Sequence, residues 1–161
     1  MTRRAVLAGA PAALAAKSAE GPIRLPNRVR VGMIGFDGHY SEILAPLPQL
    51  PDVEIVALAD SDAAKMARAA RHPKLSRARR YQTVEDMLAR EELDLVAVNN
   101  NNGERAAAIL ACTERKLHVI AEKPLAIERA DFERVRQSVA RTGVKLSMLL
   151  PMRFSPPYLA L

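Results

Sequence analysis

Five short apolar runs alternate along this chain with segments that have the composition and spacing of helices. The runs occupy residues 29–34, 53–59, 93–98, 117–121 and 144–149. Runs of about five to seven mainly apolar residues that include β-branched ones, bounded by polar or glycine positions, favour strands over helices. Strands without polar alternation are buried on both faces, which is typical of a parallel sheet covered by helices on both sides.

The intervening segments predict the helices that would cover such a sheet. Ser61 is a candidate N-cap for the second helix, and Thr83 with Asp86 forms an S/T-x-x-D/E capping pattern for the third. The predicted helices span residues 40–50, 62–71, 83–90, 104–116 and 128–141. The sequence therefore predicts an α/β fold with a doubly wound, Rossmann-type parallel sheet. An all-helical bundle is the alternative, and the runs are too short and too β-branched to favour it.

Size and composition limit the classes of protein that the chain can belong to. Its 161 residues allow one full domain but not two, and 49% hydrophobic with 26% charged residues is typical of a soluble globular protein. The formal net charge is +6, and six basic residues follow one another without an intervening acid: Arg68, Arg71, Lys74, Arg77, Arg79 and Arg80. Without aromatic platforms or a recognition motif, this cluster is interpreted as a solvated helix end and loop, and no nucleic-acid partner is expected.

The first twenty residues have the layout of an export signal. Arg3 and Arg4 precede an alanine-rich apolar run. Ala13 and Ala15 are small residues at the spacing that cleavage by signal peptidase requires. The paired arginines indicate a twin-arginine type of signal and a periplasmic or exported protein, with a disordered leader on a cytoplasmic protein as the alternative. The apolar run is about twelve residues long, too short for a stable membrane anchor. Residues 21–27 are interpreted as a linker.

The first predicted strand leads into a loop that is a candidate pyrophosphate cradle. It contains five candidate cofactor-binding residues: Gly35, Phe36, Asp37, Gly38 and His39. In a G-x-G-x-x-G fingerprint counted from Gly35, the second and third glycines are replaced by Asp37 and Tyr40, while Gly38 offers a displaced glycine. Backbone N–H groups at the following helix start would still bind phosphate, although the Asp37 carboxylate would repel it unless it points away. A plain strand-to-helix turn is the alternative.

Polar residues also follow the second and third strands. Asp60 lies 25 residues beyond Gly35, close to the offset at which an acidic residue binds the adenosine ribose and disfavours a 2′-phosphate. The expected cofactor is therefore NAD, with NADP possible because of the nearby arginines, and helix capping is the alternative role of Asp60. Asn99, Asn100 and Asn101 follow the third strand, where their amides would face the cofactor or merely reverse the chain.

Glu122 and Lys123 directly follow the fourth predicted strand, and Pro124 comes after them. Ligands of open α/β sheets lie outside the carboxyl ends of the strands, so this position lets the Lys123 amine reach a bound cofactor. An exposed turn lysine is the alternative. The histidines show no metal-ligand spacing, so no metal site is expected. The single cysteine, Cys112, lies in an apolar helical run and is expected to be buried rather than nucleophilic.

With these residues in order, the chain resembles the Gfo/Idh/MocA oxidoreductase family over residues 28–157, including the segment from Arg153 to Pro156. The resemblance implies that residues 28–150 bind NAD or NADP and that the complete enzyme oxidises or reduces CH–OH groups of sugars, inositols or related polyols. It places Lys123 near the nicotinamide and the reacting hydroxyl, as the catalytic residue, and lets Glu122 position the cofactor. The chain departs from the family pattern at four places. Asp37 replaces the second fingerprint glycine, and Asn100 and Asn101 replace a common Thr-Pro pair. Arg105 replaces a frequent histidine, and Lys116 replaces a glycine.

Family members carry a second, α+β domain that binds substrate and supplies an Asp-x-x-x-His pair. Because the chain stops at Leu161, residues 151–161 are expected to begin a truncated second domain, and the substrate domain is expected to be missing. The fragment alone is then expected to be inactive, and a homo-oligomer is expected only with the missing domain. A non-catalytic Rossmann module that binds a nucleotide or a partner, and a fragment of an NAD-dependent glycosidase, are the alternative functions.

Overall fold

The computed structural model describes residues 21–154, so the predicted export signal and residues 155–161 lie outside the described residues. The described part contains one six-stranded sheet. Its strands are β1 (Val29–Ile34), β2 (Val53–Ala59), β3 (Arg79–Tyr81), β4 (Leu95–Val98), β5 (His118–Glu122) and β6 (Leu146–Leu149). All neighbouring strands pair in parallel, in the order β3-β2-β1-β4-β5-β6. The predicted doubly wound, Rossmann-type sheet is therefore confirmed.

Helices connect the strands. They are α1 (Tyr40–Leu44), α2 (Ala63–Ala69), α3 (Val84–Arg90), α4 (Asn102–Glu114) and α5 (Arg129–Thr142), with short 3-10 helices at Leu47–Gln49 and Pro151–Phe154. The prediction of one helix over residues 40–50 is wrong in its second half, because Pro46 and Pro48 cannot continue an α-helix. Thr83 is confirmed as the N-cap of α3, where its hydroxyl oxygen accepts the Asp86 N–H at 3.1 Å.

Two hydrophobic clusters lie on opposite faces of the sheet. In β4, Val96 and Val98 pack with α3, α4 and α5, whereas Ala97 between them packs with α1 and α2. Successive strand residues point to opposite faces, so a strand covered on both sides must be apolar throughout. This packing explains why the strands appear in the sequence as continuous apolar runs.

Strand β3 was not predicted. Arg79, Arg80 and Tyr81 pair with residues 57–59 of β2 although they form no apolar run. The buried carboxylate of Glu91 accepts hydrogen bonds from Arg79 Nη2 at 2.8 Å and from the Tyr81 hydroxyl at 2.5 Å. Long-range polar contacts therefore stabilise this edge strand, and part of the basic cluster is used to form it.

Backbone conformation explains one departure from the family pattern. Lys116, at a position where the family has glycine, adopts φ 59° between α4 and β5. Glycine reaches this left-handed region without strain, whereas a residue with a Cβ does so at some energetic cost. The turn between α4 and β5 therefore forms with a lysine at its left-handed position.

Candidate cofactor-binding site

The predicted site residues meet at one edge of the sheet. Because β2, β1, β4 and β5 are adjacent and parallel, their carboxyl ends lie side by side. Strands β2 and β3 lie on one side of β1, and β4 lies on the other side, so the strand order reverses between β1 and β4. Ligands of doubly wound sheets bind at this topological switch point.

Gly35 brings two loops into direct contact. Its φ is 73°, and a Cβ at this position would lie 2.3 Å from the Asn100 Cα. No side chain fits there, so the loop after β1 lies directly against the loop after β4. The neighbouring Phe36 is buried and contacts Tyr40 edge to face, with ring centroids 5.5 Å apart. Its side chain belongs to the core, which leaves only its backbone for a ligand.

Asp37 replaces a fingerprint glycine, and its charge is compensated. Its Oδ1 accepts a hydrogen bond from Lys65 Nζ at 2.8 Å. This hydrogen bond from Lys65 to the carboxylate raises the pKa of Lys65 above its usual value. The carboxylate that would repel a phosphate is therefore engaged with an ammonium group supplied by α2.

Glu122 joins the end of β5 to the loop after β1. The side chain is 2% exposed, and its Oε1 accepts the His39 N–H at 3.0 Å and also contacts His39 Nδ1. A Cβ on Gly38, whose φ is 63°, would lie 2.8 Å from the same oxygen. Oε2 accepts the backbone N–H of Lys123 at 2.6 Å. Burial acts to raise the pKa of Glu122, but the hydrogen bonds from His39 and Lys123 outweigh it and hold the pKa below its ordinary value.

Asp60 lies at the end of β2 with one carboxylate oxygen engaged. Its Oδ1 accepts the N–H of Asp62 at 2.8 Å. Asp62, rather than the predicted Ser61, is the N-cap of α2, because its own carboxylate accepts the N–H groups of Ala64 at 2.8 Å and Lys65 at 3.1 Å. These backbone N–H groups lower the pKa of Asp62. Within residues 21–154, no hydrogen bond uses Asp60 Oδ2, and the residue is only half-buried.

The asparagines after β4 divide into two groups. Asn101 is the N-cap of α4, and its Oδ1 accepts the N–H groups of Gly103 at 3.0 Å and Glu104 at 3.2 Å. Asn99 is 1% exposed and Asn100 is 8% exposed, yet both amide atoms of Asn99 and Oδ1 of Asn100 lack a partner among the described residues. A buried polar atom without a partner costs about 1–3 kcal/mol, so these atoms are suited to meet a ligand or ordered water.

A cleft of about 270 Å³ opens beside these loops. Five predicted residues line it: Gly35, Asp37, Asp60, Asn100 and Asn101. Further lining residues come from the start of α3 and include Gln82, Thr83 and Glu85. Gly38, His39, Glu122 and Lys123 do not line this cleft and extend the same edge of the sheet toward β5. Lys123 has an exposed side chain, and its peptide bond to Pro124 is cis.

Arg105 and Lys65 belong to the site but were not predicted as site residues. Arg105 is 2% exposed, and its guanidinium donates to the backbone oxygens of Asn100 at 2.5 Å, Lys123 at 2.9 Å and Pro124 at 2.8 Å. Burial lowers the pKa of Arg105, and attraction by Glu122 and Asp37 opposes that shift. The sequence signal for Arg105 was its departure from the family histidine. The spacing of Lys65 gave no signal.

Between residues 21 and 154, no three side chains of the His, Cys, Asp or Glu type are grouped so that they would hold a metal ion. In the same part of the chain, none of the helices has the length and apolar character that crossing a membrane requires.

The comparison with known proteins decides the family. Residues 29–150 match the model of the Gfo/Idh/MocA family, described as an oxidoreductase family with an NAD-binding Rossmann fold. The chain belongs to this family. The partnerless Oδ1 of Asn100 and the free oxygen of Asp60, two residues that line the cleft, fit the dinucleotide that the Gfo/Idh/MocA domain binds. Asp60 would bind the adenosine ribose, and the loop after β1 would hold the pyrophosphate.

Several relatives of the chain are named as dehydrogenases. The chain is 30% identical over 125 residues to D-xylose 1-dehydrogenase (NADP(+)) 2 of Haloferax volcanii, covering 78% of this chain and 38% of that protein. It is 29% identical over 125 residues to inositol 2-dehydrogenase of Salmonella typhimurium, covering 78% and 36%. The chain thus spans less than two fifths of the length of these Gfo/Idh/MocA relatives.

Solved structures share the fold. The WlbA dehydrogenase of Chromobacterium violaceum, in complex with NADH and UDP-GlcNAcA, superposes with a TM-score of 0.74 at 22% identity, covering 87% of this chain and 40% of that one. The scyllo-inositol dehydrogenase of Lactobacillus casei, with NAD(H) and scyllo-inositol bound, gives 0.71 at 19% identity, covering 83% and 39%. Both agree with the Rossmann topology described above.

Proposed function

We propose that the protein acts as an NAD-dependent oxidoreductase on a CH–OH group of a sugar, an inositol or a related polyol. The observation that carries the proposal is the hydrogen-bonded connection between the loop after β1 and the Glu122-Lys123 end of β5. This connection supports the proposal because it joins the candidate phosphate cradle to the backbone of Lys123, whose side chain is exposed. The names of the dehydrogenase relatives supply the substrate class.

Bound NAD would supply the hydride acceptor. Lys123 follows β5 and has an exposed side chain. Its ammonium would lie beside the bound NAD and would donate a hydrogen bond to the oxygen of the reacting hydroxyl. A cation at that oxygen stabilises the negative charge that develops as the hydroxyl proton passes to a base, a role that the family resemblance assigns to the histidine of the second domain. Glu122 would fix the Lys123 backbone through its N–H, at 2.6 Å, and would keep the loop after β1 in contact with it.

The lining of the cleft favours NAD over NADP. Asp60, Asp62, Glu85 and Glu104 place carboxylates around it, and the Lys65 ammonium on its wall is paired with Asp37. A 2′-phosphate entering this cleft would meet uncompensated negative charge. We therefore expect discrimination against NADPH, although one relative is named for NADP(+).

Cofactor titration of the purified chain tests the binding part of this proposal. Fluorescence of NADH should change on binding, with a dissociation constant below about 1 mM, and NADPH should bind at least about tenfold more weakly. Absence of NADH binding at millimolar concentration would contradict the proposal. A preference for NADPH would contradict only the assigned role of the carboxylates.

Turnover tests the chemical part. A version of the protein that includes a substrate domain should reduce NAD in the presence of an inositol or an aldose, followed by NADH absorbance, and Lys123→Ala in that version should lower the rate by roughly a hundredfold or more. Lys145→Ala, on the exposed turn before β6, is the matched control and should leave the rate unchanged. An equal rate in Lys123→Ala would favour a role for the domain in which this lysine has no chemistry.

Export through the twin-arginine route remains a second proposal, supported by Arg3, Arg4 and the alanine-rich run after them. These residues lie outside the described part. Replacing both arginines with lysine should retain the protein in the cytoplasm without changing its charge. Cell fractionation would measure this, and unchanged periplasmic yield would rule out the twin-arginine route.

A further inference from the structure

Two buried charged side chains hold the Lys123 peptide unit from opposite sides. Glu122 Oε2 accepts the Lys123 N–H at 2.6 Å, and Arg105 Nη1 donates to the Lys123 carbonyl oxygen at 2.9 Å. Both side chains are only 2% exposed, whereas the side chain of Lys123 itself is exposed. The backbone of this residue is therefore fixed while its amine stays accessible.

Arg105 also connects Lys123 to the neighbouring loop. The same guanidinium donates to the carbonyl oxygens of Pro124 at 2.8 Å and Asn100 at 2.5 Å, and to Asn102 Oδ1 at 2.8 Å. These acceptors belong to the loop after β4, to the first residue of α4 and to the segment that follows β5. A planar guanidinium offers several donors in a fixed fork, which a lysine ammonium or a neutral imidazole cannot reproduce.

We infer that Arg105 is a positioning residue that holds the Lys123 backbone and thereby directs its amine toward the reacting hydroxyl. The inference rests on the proposed function, because it requires that Lys123 acts on the substrate. Arg105 is itself buried beneath the two loops and acts through Lys123. Its hydrogen bonds to three carbonyl oxygens carry the assignment.

Local flexibility gives a readout that needs no cofactor. In Arg105→Lys, amide hydrogen exchange at Lys123 should accelerate by about tenfold, since hydrogen bonds from a charged donor are lost. Exchange at Val119, in the middle of β5, should stay unchanged. The control is Arg136→Lys on the exposed face of α5, where Arg136 forms an ion pair with Glu133. This control makes the same substitution of arginine by lysine at a surface position. Equal acceleration at Val119 and Lys123 would show a general structural role and overturn the inference.

A double-mutant cycle provides the functional readout. In the version that includes a substrate domain, Arg105→Lys should lower the rate of NAD reduction about tenfold at saturating cofactor, and it should have almost no further effect in a Lys123→Ala background. A full additional loss in that background would overturn the inference. An unaltered rate in Lys123→Ala alone would instead contradict the proposed function, while the exchange experiment would still report on Arg105. If Arg105→Lys fails to fold, Arg105→Gln keeps a planar donor group and is judged by the same two measurements.

Discussion

The ring Nδ1 of His39 hydrogen-bonds to Oε1 of Glu122 and so joins the loop after β1 to the end of β5, across 83 positions of sequence. The backbone N–H of His39 donates to the same oxygen at 3.0 Å. One buried carboxylate thus holds together the two loops that would contact opposite parts of a dinucleotide. Its hydrogen bonds make the ionised form of Glu122 part of the folded structure.

Glu122 should make the domain sensitive to acid. Its pKa is lower in the folded state than its ordinary value of 4.5, so its stabilising contribution is present above that value and is lost as pH falls through the folded pKa. Urea unfolding should show a smaller loss of stability between neutral pH and about pH 3 in Glu122→Gln than in the wild type. Glu54→Gln, at an exposed position of β2, should retain the wild-type pH profile. Identical profiles for Glu122→Gln and the wild type would show that the carboxylate gains nothing from these contacts.

Asp37→Gly should tighten NADH binding. The substitution restores the glycine of the fingerprint, removes a negative charge and releases the Lys65 ammonium, now 2.8 Å from that charge, to attract phosphate. We expect the dissociation constant to fall by roughly threefold to fivefold, the scale of an exposed ion pair. Lys65→Met provides the opposite case and should weaken binding. Weaker binding in Asp37→Gly would mean that the carboxylate supports the loop rather than opposing the ligand.

Asp60→Asn should reduce both affinity and discrimination. The free Oδ2 of Asp60 is the proposed acceptor for the ribose hydroxyls, so its loss should weaken NADH binding about tenfold and bring the NADH and NADPH dissociation constants closer together. Fluorescence titration with both nucleotides measures the ratio. Asp131→Asn, on α5, serves as the control for a lost carboxylate. If the ratio stays at the wild-type value, Asp60 does not select the cofactor.

Gly35→Ala and Gly143→Ala form a matched pair for stability. Their φ angles are 73° and 74°, but a Cβ at Gly35 would meet the Asn100 backbone at 2.3 Å, while a Cβ at Gly143 would meet nothing within 4 Å. Gly143→Ala should therefore cost about 1 kcal/mol, from its left-handed backbone alone. Gly35→Ala should cost at least about 2 kcal/mol more, because the two loops must separate. Denaturant unfolding measures both, and equal values would mean that the loops are not in contact.

Local patterns predicted the parts of this fold that rest on local causes. Strand β1 has the predicted bounds, since its four buried residues, 31–34, carry no polar side chain where helices cover both faces of the sheet. Strand β3 was missed because Arg79 and Tyr81 are held by Glu91, a contact with no periodic signal in the sequence. The cap of α2 was misplaced by one residue, since Ser61 and Asp62 are both good capping residues and only backbone geometry separates them.

The candidate site shows the same division. Strand ends are predictable from the runs that precede them, and Asp60 and Glu122 lie there as expected. The contacts that assemble the site are distant in sequence: Arg105 reaches carbonyl oxygens 18 and 19 positions away, and Lys65 reaches Asp37 across 28. Carbonyl acceptors have no residue type, so no motif announces Arg105 as their donor.

Cys112 lies fully buried in α4, and burial raises the pKa of its thiol to about 12. Because only the thiolate reacts at an appreciable rate, alkylating reagents must wait for the helix to open. The sequence contains no second cysteine, so each labelling event reports one site. The rate of thiol modification therefore measures how often the domain opens around Cys112. This rate should fall if a nucleotide ligand stabilises the folded form.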